Sequence, residues 1–326
     1  MRLIEKVSIP VDFDLSFLKI RWSDHIFVKD RGKVLGEGVV YGGDWGKAER
    51  LARQMAEMRF EKERGDLRVC EQLFITNQKS DIRNQILEIV KRGSNLKLKV
   101  GRNVFEDIKV IEFIMKGSDL LKRSDPFTPS VRIDANQGYS LKQLRYIIPT
   151  LKEFGIKYVE EPVKVKNLPA AAELLHRYGL KIILDESLML SRGRVKLGRG
   201  DLRDCHVVPL RGTPRNDEES IDVINIKLSR IGDINQALHL IKVAKKYKKQ
   251  VVIGCSEELE RGMRAIYALG HVAKKSGVLL EVEGFGPLRL RNRNVSIPRW
   301  LNRAENLFII AFHRISQYIF DYVTHC

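Results

Sequence analysis

Apolar and polar positions follow two different rhythms along this chain. In the first part, IEKVSIPVDF, FLKIRWSDHIFVKD and VLGEGVVYG carry short β-branched and alternating runs, with KDRG as a turn. A period near two predicts strands. Residues 44 to 64 (DWGKAERLARQMAEMRFEKER) change to helical spacing, with Asp44 placed to cap the N-terminus. From residue 67 strand-like and helical segments alternate. The strand-like runs are LRVCEQLFI, LKLKV, SVRIDAN, IKYVEEP, LKIILDES, DVINIKLS, QVVIGCS and GVLLEVEG. Helical spacing recurs between them, including a stretch from Phe105 to Leu121. Another, SLKQLRYIIPTLKEFG, carries Pro149, which should interrupt or end it, and LPAAAELLHRYG should stop at Gly179. Eight strands in strict alternation with helices predict an α/β fold, a closed TIM-type (β/α) barrel beside a small N-terminal α+β unit. The expected boundaries are 1–66 for the α+β unit, 67–290 for the barrel and 291–326 for a tail. Two segments break the rhythm. Residues 188–220 are basic and glycine-rich and read as an irregular insertion, and NLFIIAFHRISQYIFDYV in the tail reads as a helix packed on the barrel or the N-terminal unit.

Candidate chemistry lies where the strand-like runs end. Asp134, Glu160 and Asp185 each close such a run and stand 26 and 25 residues apart. That step is about one strand plus one helix, so the three acids should converge on the C-terminal mouth of the barrel. Three carboxylates there suit a hard divalent cation, Mg²⁺ with Mn²⁺ as the alternative. Lys97 and Lys99 are two apart on the second barrel strand and so share a face. Lys227, on the sixth, lies four places round a ring of eight and should face Lys99 across the mouth. Paired ammoniums beside a dication would have a lowered pKa and act as bases near neutral pH. The other strand ends supply Cys255, Ser256 and Glu258 from the seventh and Glu281 and Glu283 from the eighth.

In order, Lys97-x-Lys99, DAN, EEP, DES, KLSRIG and GCSEE resemble the enolase superfamily. The likeness is strongest to its mandelate racemase/muconate-lactonising side, which includes dipeptide epimerases, muconate cycloisomerases and o-succinylbenzoate synthases. The resemblance implies that Asp134, Glu160 and Asp185 are metal ligands, with Glu160 preferred to Glu161. It implies that Lys99 and Lys227 are the acid/base pair, with Lys97 tuning Lys99. Ser256, Glu258 and Glu283 are then assigned to the substrate, and the N-terminal unit becomes a capping domain. The implied reaction is Mg²⁺-dependent removal of the proton α to a carboxylate through an enediolate, most readily racemisation or epimerisation of an amino-acid derivative or dipeptide. A cycloisomerase or an o-succinylbenzoate synthase-type lyase on the same scaffold is the alternative. The chain departs from the dipeptide epimerases at strand eight, where EVEG replaces Asp-x-Asp, and at Asp233, where the family has glycine. The N-terminal cap is also shorter than usual.

Composition adds three limits. Hydrophobic residues make up 44% and charged residues 30% of 326, as in a soluble globular protein, with neither a leader-like nor a membrane-spanning apolar run. Four scattered cysteines without CxxC spacing favour reduced thiols and a cytoplasmic setting. The net charge of +17 is spread along the chain and aromatics are only 8%. A solvated basic surface is therefore preferred to a nucleic-acid function, though a non-catalytic basic barrel binding nucleic acid or an acidic partner stays open. A small carboxylate is the expected partner, and homo-oligomerisation stays open.

Overall fold

The structure is a computed structural model. It describes residues 2–14, 19–40, 42–58, 67–73, 79–117, 129–188, 190–191, 194–195, 221–256, 258 and 260–284. The N-terminal unit is an antiparallel sheet of β1 (Leu3–Asp14), β2 (Lys19–Asp30) and β3 (Lys33–Val39), in that order, with α1 (Trp45–Glu57) against it. Arg31 and Gly32, both at positive φ, make the tight turn from β2 to β3. The Asp44 side chain accepts from the Lys47 backbone N–H, the cap expected from sequence. The helix, expected to reach residue 64, ends at Glu57, with extended Met58 closing it. Its buried stripe (Ala48, Leu51, Ala52, Met55) has run out, and Met58 is left 38% exposed. Backbone meets backbone where the sheet and helix touch. A Cβ on Gly36 would lie 1.8 Å from the Ala52 carbonyl oxygen, and one on Gly38 would lie 1.9 Å from that of Ala48.

The rest closes into the expected ring. Its strands are β4 (Val69–Leu73), β5 (Asn95–Lys99), β6 (Val131–Asp134), β7 (Tyr158–Glu160) and β8 (Lys181–Leu184). An antiparallel pair of two-residue strands, β9 (Leu190–Ser191) with β10 (Arg194–Val195), intervenes. It is followed by β11 (Val223–Lys227), β12 (Gln250–Gly254) and β13 (Leu279–Glu283). All eight barrel strands pair in parallel, and β13 closes on β4. The helices are α2 (Lys79–Lys91), α3 (Val104–Gly117), α4 (Leu141–Glu153), α5 (Leu168–Arg177), α6 (Leu228–Ile231), α7 (Ile234–Lys246) and α8 (Glu260–Lys275). The α3 helix is described as far as Gly117, and residues 118–121 of its expected extent lie outside the described residues. Pro149 neither ends nor interrupts α4, contrary to expectation. Ile147, Ile148 and Leu151 bury themselves on both sides of it and hold the helix together across the missing donor. Gly179, at φ 72, ends the turn after α5 as expected.

Alternate strand residues pack outward against the helices, among them Leu96, Leu98, Ile133, Val159, Ile224 and Ile253. Inside the ring, Ile183, Val223 and Val252 with Tyr158 form an apolar plug below the polar residues described next. The N-terminal unit is fastened beside the mouth. Arg50 Nε donates to the Gly232 carbonyl, Arg261 Nε donates to the Val34 carbonyl, and Gly262 N–H donates to Glu37. Asp233 caps α7 through the Gln236 N–H and also accepts from Gln54 of α1, so the acid that replaces a glycine ties the two units. Among the described residues no helix is long and apolar enough to cross a membrane. Most of the 188–220 insertion and all of the 291–326 tail, including its expected helix, lie outside the described residues.

Candidate active site

Strand register brings the motif residues to one mouth. Lys99 stands beside Asp134, and Asp134 beside Glu160, in the pairings β5–β6 and β6–β7. Asp134, Glu160 and Asp185 are fully buried. The backbone turns sharply just past the first two, with Asn136 at φ 43 and Glu161 at φ 40. These left-handed residues end the strands abruptly, and their neighbours hold the turns. Asn136 N–H donates to Asp134 Oδ1. Glu161 turns away from the axis, its Oε1 accepting from the backbone N–H groups of Asp185 and Ser187, each at 2.7 Å. Of the EEP pair, Glu160 therefore faces the interior and Glu161 fixes the loop carrying Asp185.

Every inward acid of this triad meets a cation of the chain. Lys99 Nζ donates to Asp134 Oδ2 at 2.5 Å and to Asn136 Oδ1 at 2.7 Å. Lys227 Nζ donates to Asp185 Oδ2 at 2.6 Å, and Arg230 Nη1 donates to Asp185 Oδ1 at 2.5 Å. Arg132 donates to Glu160 Oε2, and Asn225 Nδ2 donates to Glu160 Oε1 at 2.9 Å. Lys97 Nζ donates to Glu283 at 2.5 Å and lies 3.6 Å from Asp134 and 3.8 Å from Glu160. Room for Lys227 and Asn225 depends on Gly254. A Cβ there would lie 2.1 Å from Asn225 Oδ1 and 2.8 Å from Lys227 Cγ.

Two of the residues assigned to substrate sit at the edge of this cluster. Ser256 N–H donates to Glu258 Oε2, Ser256 Oγ bonds Ser229 Oγ, and Glu258 Oε1 has no partner among the described residues. Burial, with a contribution from Glu37, pushes the Glu258 carboxyl up to about 7. Glu283, the third, is buried within the cluster. Its oxygens accept from Lys97, Arg132 and the Cys255 N–H.

The chain's own carboxylates act on two of the lysines. Burial disfavours charge on Lys227, but Asp185 and Glu283 outweigh it and hold the ammonium well above its ordinary range. Lys97 is raised in the same way, burial being overcome by Glu160 and Glu283. The expected lowering leaned on a neighbouring ammonium and a bound dication, and the carboxylates packed here exceed the first of these. Burial likewise works against the charge on Asp134 and Asp185, yet Lys99 with Lys97, and Lys227 with Arg230, keep both carboxyls below the usual range. Glu160 goes the other way. Burial raises it to about 7, Asp134 and Glu283 add to this, and Arg132 and Lys97 offset part of it.

Whether these residues suit a metal ion turns on their chemistry. Among the described residues no three His, Cys, Asp or Glu side chains are already drawn together as a metal cage, because lysines and arginines hold the triad's oxygens. The donor set is nonetheless three hard carboxylates close enough to repel one another, Asp185 raising Asp134 and Asp134 raising Glu160. Glu186 adds a further carboxylate to this repulsion, and its buried Oε2 has no partner among the described residues. Five cations (Lys97, Lys99, Arg132, Lys227, Arg230) thus meet six acids (Asp134, Glu160, Asp185, Glu186, Glu281, Glu283). A dication fits such a donor set.

Known proteins resemble this chain in sequence and in fold. Residues 81–197, which carry Lys97, Lys99 and the three acids, match the family model described as "Enolase C-terminal domain-like". Over that stretch the barrel resembles the enolase superfamily. A relative is the L-Ala-D/L-Glu epimerase of Clostridium acetobutylicum, 27% identical over 215 residues, 65% of this chain and 52% of that protein. The chain thus spans about half the length of the curated relatives it matches. Two solved structures share the fold. A substrate-liganded L-Ala-D/L-Glu epimerase from Bacillus subtilis superposes with a TM-score of 0.66 at 20% identity, over 91% of this chain and 93% of that one. A dipeptide epimerase from Enterococcus faecalis, solved with Mg and the dipeptide L-Leu-L-Tyr, gives 0.63 at 19%, over 91% and 92%.

Sequence reasoning passed over Arg132 and assigned no role to Asn225 or Asn95. Each lies two positions before an inward residue already identified (Asp134, Lys227, Lys97) inside an apolar run. A polar residue at that phase of a buried strand was the available signal.

Proposed function

We propose that the protein is a Mg²⁺-dependent isomerase that removes and returns the proton α to a carboxylate, epimerising an amino-acid derivative or dipeptide. The observation that carries this reading is the placement of Lys99 and Lys227 on opposite walls, β5 and β11, four places apart in the ring. Asp134, Glu160 and Asp185 lie between them. Asp134, Glu160 and Asp185 would hold the ion. When bound, it supplies positive charge beside the substrate carboxylate and makes the α-proton easier to remove, a pairing of dication and base attributed to this superfamily.

The chain's own groups do the rest. Lys99 Nζ takes the proton from one face of the α-carbon, and Lys227 Nζ delivers one to the other, which inverts the centre. Asn136 orients Lys99, and Arg230 shares Asp185 with Lys227. Lys97 places a second positive charge next to Lys99 on Asp134. Ser256 and Glu258 lie where the N-terminal unit meets the mouth and would contact the substrate's remote end. Residues 1–66 would act as the cap, with 67–290 as the catalytic barrel.

The test is incubation with Mg²⁺ in D₂O against dipeptides and N-acyl amino acids. Deuterium at the α-carbon with loss of optical purity is expected. Absence of exchange across the panel, with Mg²⁺ and again with Mn²⁺, would overturn the reading. Product formed by ring closure or loss of water would replace epimerisation with the cycloisomerase or lyase reading.

A further inference from the structure

We infer that Arg132 is a positioning residue that sets two parts of the site at once, the carboxylate of Glu160 and the ammonium of Lys97. Arg132 is 3% exposed, two residues before Asp134, and points along the same inward face. Its guanidinium is spent on three carboxylates. One Nη donates to Glu160 Oε2, Nε donates to Glu281 Oε1 at 2.6 Å, and the other Nη donates to Glu283 Oε1 at 2.7 Å. Glu160 comes from the strand next to Arg132, whereas Glu281 and Glu283 come from β13, three places round the ring. The planar fork therefore ties one wall to another through three separate nitrogens held in a fixed plane.

The two arms lead to different functions. Toward β7, Arg132 holds one oxygen of Glu160 while Asn225 holds the other, so the carboxylate's plane is fixed from two sides. Toward β13, Arg132 shares Glu283 Oε1 with Lys97. Glu283 in turn is anchored by the Cys255 N–H, and so determines how close Lys97 stands to Asp134, on which Lys99 also rests. Arg132 touches no reacting atom in this scheme. It acts through Glu160 on ion binding and through Glu283 on the electrostatics of Lys99. This role rests on the reading of Glu160 as a metal ligand and of Lys99 as a base.

The two arms can be separated. Purified full-length wild type, Arg132→Met, Arg132→Lys and Glu283→Gln are compared for Mg²⁺ affinity by titration calorimetry, for α-proton exchange with the substrates above, and for folding by circular dichroism. Arg132→Met should weaken Mg²⁺ binding about 10- to 100-fold, the range for groups that orient a ligand, and Arg132→Lys should fall between it and wild type. Glu283→Gln should leave Mg²⁺ affinity within about threefold while exchange drops about tenfold or more, in kcat rather than KM. If Arg132→Met does not fold, Arg132→Lys and Glu283→Gln still decide. Folded Arg132 variants with wild-type Mg²⁺ affinity overturn the first arm. A Glu283→Gln variant that exchanges at the wild-type rate, or loses as much Mg²⁺ affinity as the Arg132 variants, overturns the second. Wild type that binds no Mg²⁺ overturns the ligand reading and this role together. Wild type that binds Mg²⁺ yet exchanges no substrate overturns the epimerase reading, and with it the second arm. The calorimetry of the Arg132 variants still decides the first.

Discussion

On the outward face of the barrel strands lie Leu96, Leu98, Ile133, Val159, Ile224 and Ile226, and on the inward face of the same strands lie Asn95, Lys97, Lys99, Arg132, Glu160 and Lys227. Both sets are buried or nearly so. The outward set needs only to be apolar and of about the right volume, because dispersion and solvent exclusion are non-directional. The inward set needs particular partners, because a charge in a dry interior is tolerated only when paired. A one-residue shift along any strand would exchange the two sets. Stability therefore resides mainly on one side of each strand and chemistry on the other.

The largest expected effect falls on the inward face. Lys99→Ala and Lys227→Ala should each cut epimerisation about 10²- to 10⁴-fold, and each should abolish proton transfer on one face only. Following deuterium incorporation separately from the L and D substrates would reveal this, and equal residual exchange from both would contradict the two-sided arrangement. Gly254→Ala should behave like a milder version of Lys227→Ala, since its Cβ would meet Asn225 and Lys227 on the inward side. On the outward face, Ile133→Ala should lower stability by about 2–5 kcal/mol. Its exchange rate per folded molecule should stay close to wild type. Urea unfolding alongside single-turnover exchange would separate the two quantities, and a large rate loss would mean that the faces are not independent.

Glu258 offers a smaller test through pH. Its folded carboxyl is raised to about 7, chiefly by burial. Between the ordinary glutamate value and about 7 the unfolded chain has lost this proton while the folded chain keeps it. Stability from this group is therefore greatest at low pH, falls as pH rises through that window and levels off above it. The full excursion is of the order of 3 kcal/mol. Glu258→Gln should flatten that part of the stability curve, and an unchanged slope would show that other groups set it. Smallest of all, Asp44→Ala removes the cap of α1, should cost about 1 kcal/mol in thermal unfolding and should leave proton exchange intact.

Much of this division was legible in the sequence. Alternation of apolar and polar residues gave eight strands and their phase, and the acids that close SVRIDAN, IKYVEEP and LKIILDES marked the mouth. Those signals are local, spanning five to ten residues. What escaped depends on distant partners. Arg132 meets Glu281 across 149 residues and Lys97 meets Glu283 across 186, so neither pair leaves a mark on its own strand beyond a polar residue at an inward phase. The direction of the lysine shifts escaped for the same reason, since it is set by how many carboxylates the ring collects. Pro149 misled because its tolerance depends on Ile147, Ile148 and Leu151 being buried around it.

Closure of the ring by β13 has a bearing on how the chain reaches this state. Glu281 and Glu283 arrive on the last barrel strand to be synthesised, whereas Arg132 and Lys97 are present well over a hundred residues earlier. Until that strand docks, Arg132 and Lys97 lack part of their carboxylate partners and the nascent barrel has an open edge at β4. Contacts of such sequence separation form slowly. An unfinished barrel is thus penalised twice, by unpaired charge and by an exposed strand. Completion of the candidate site and closure of the barrel become the same late event, so a molecule with an assembled site is one whose ring has closed.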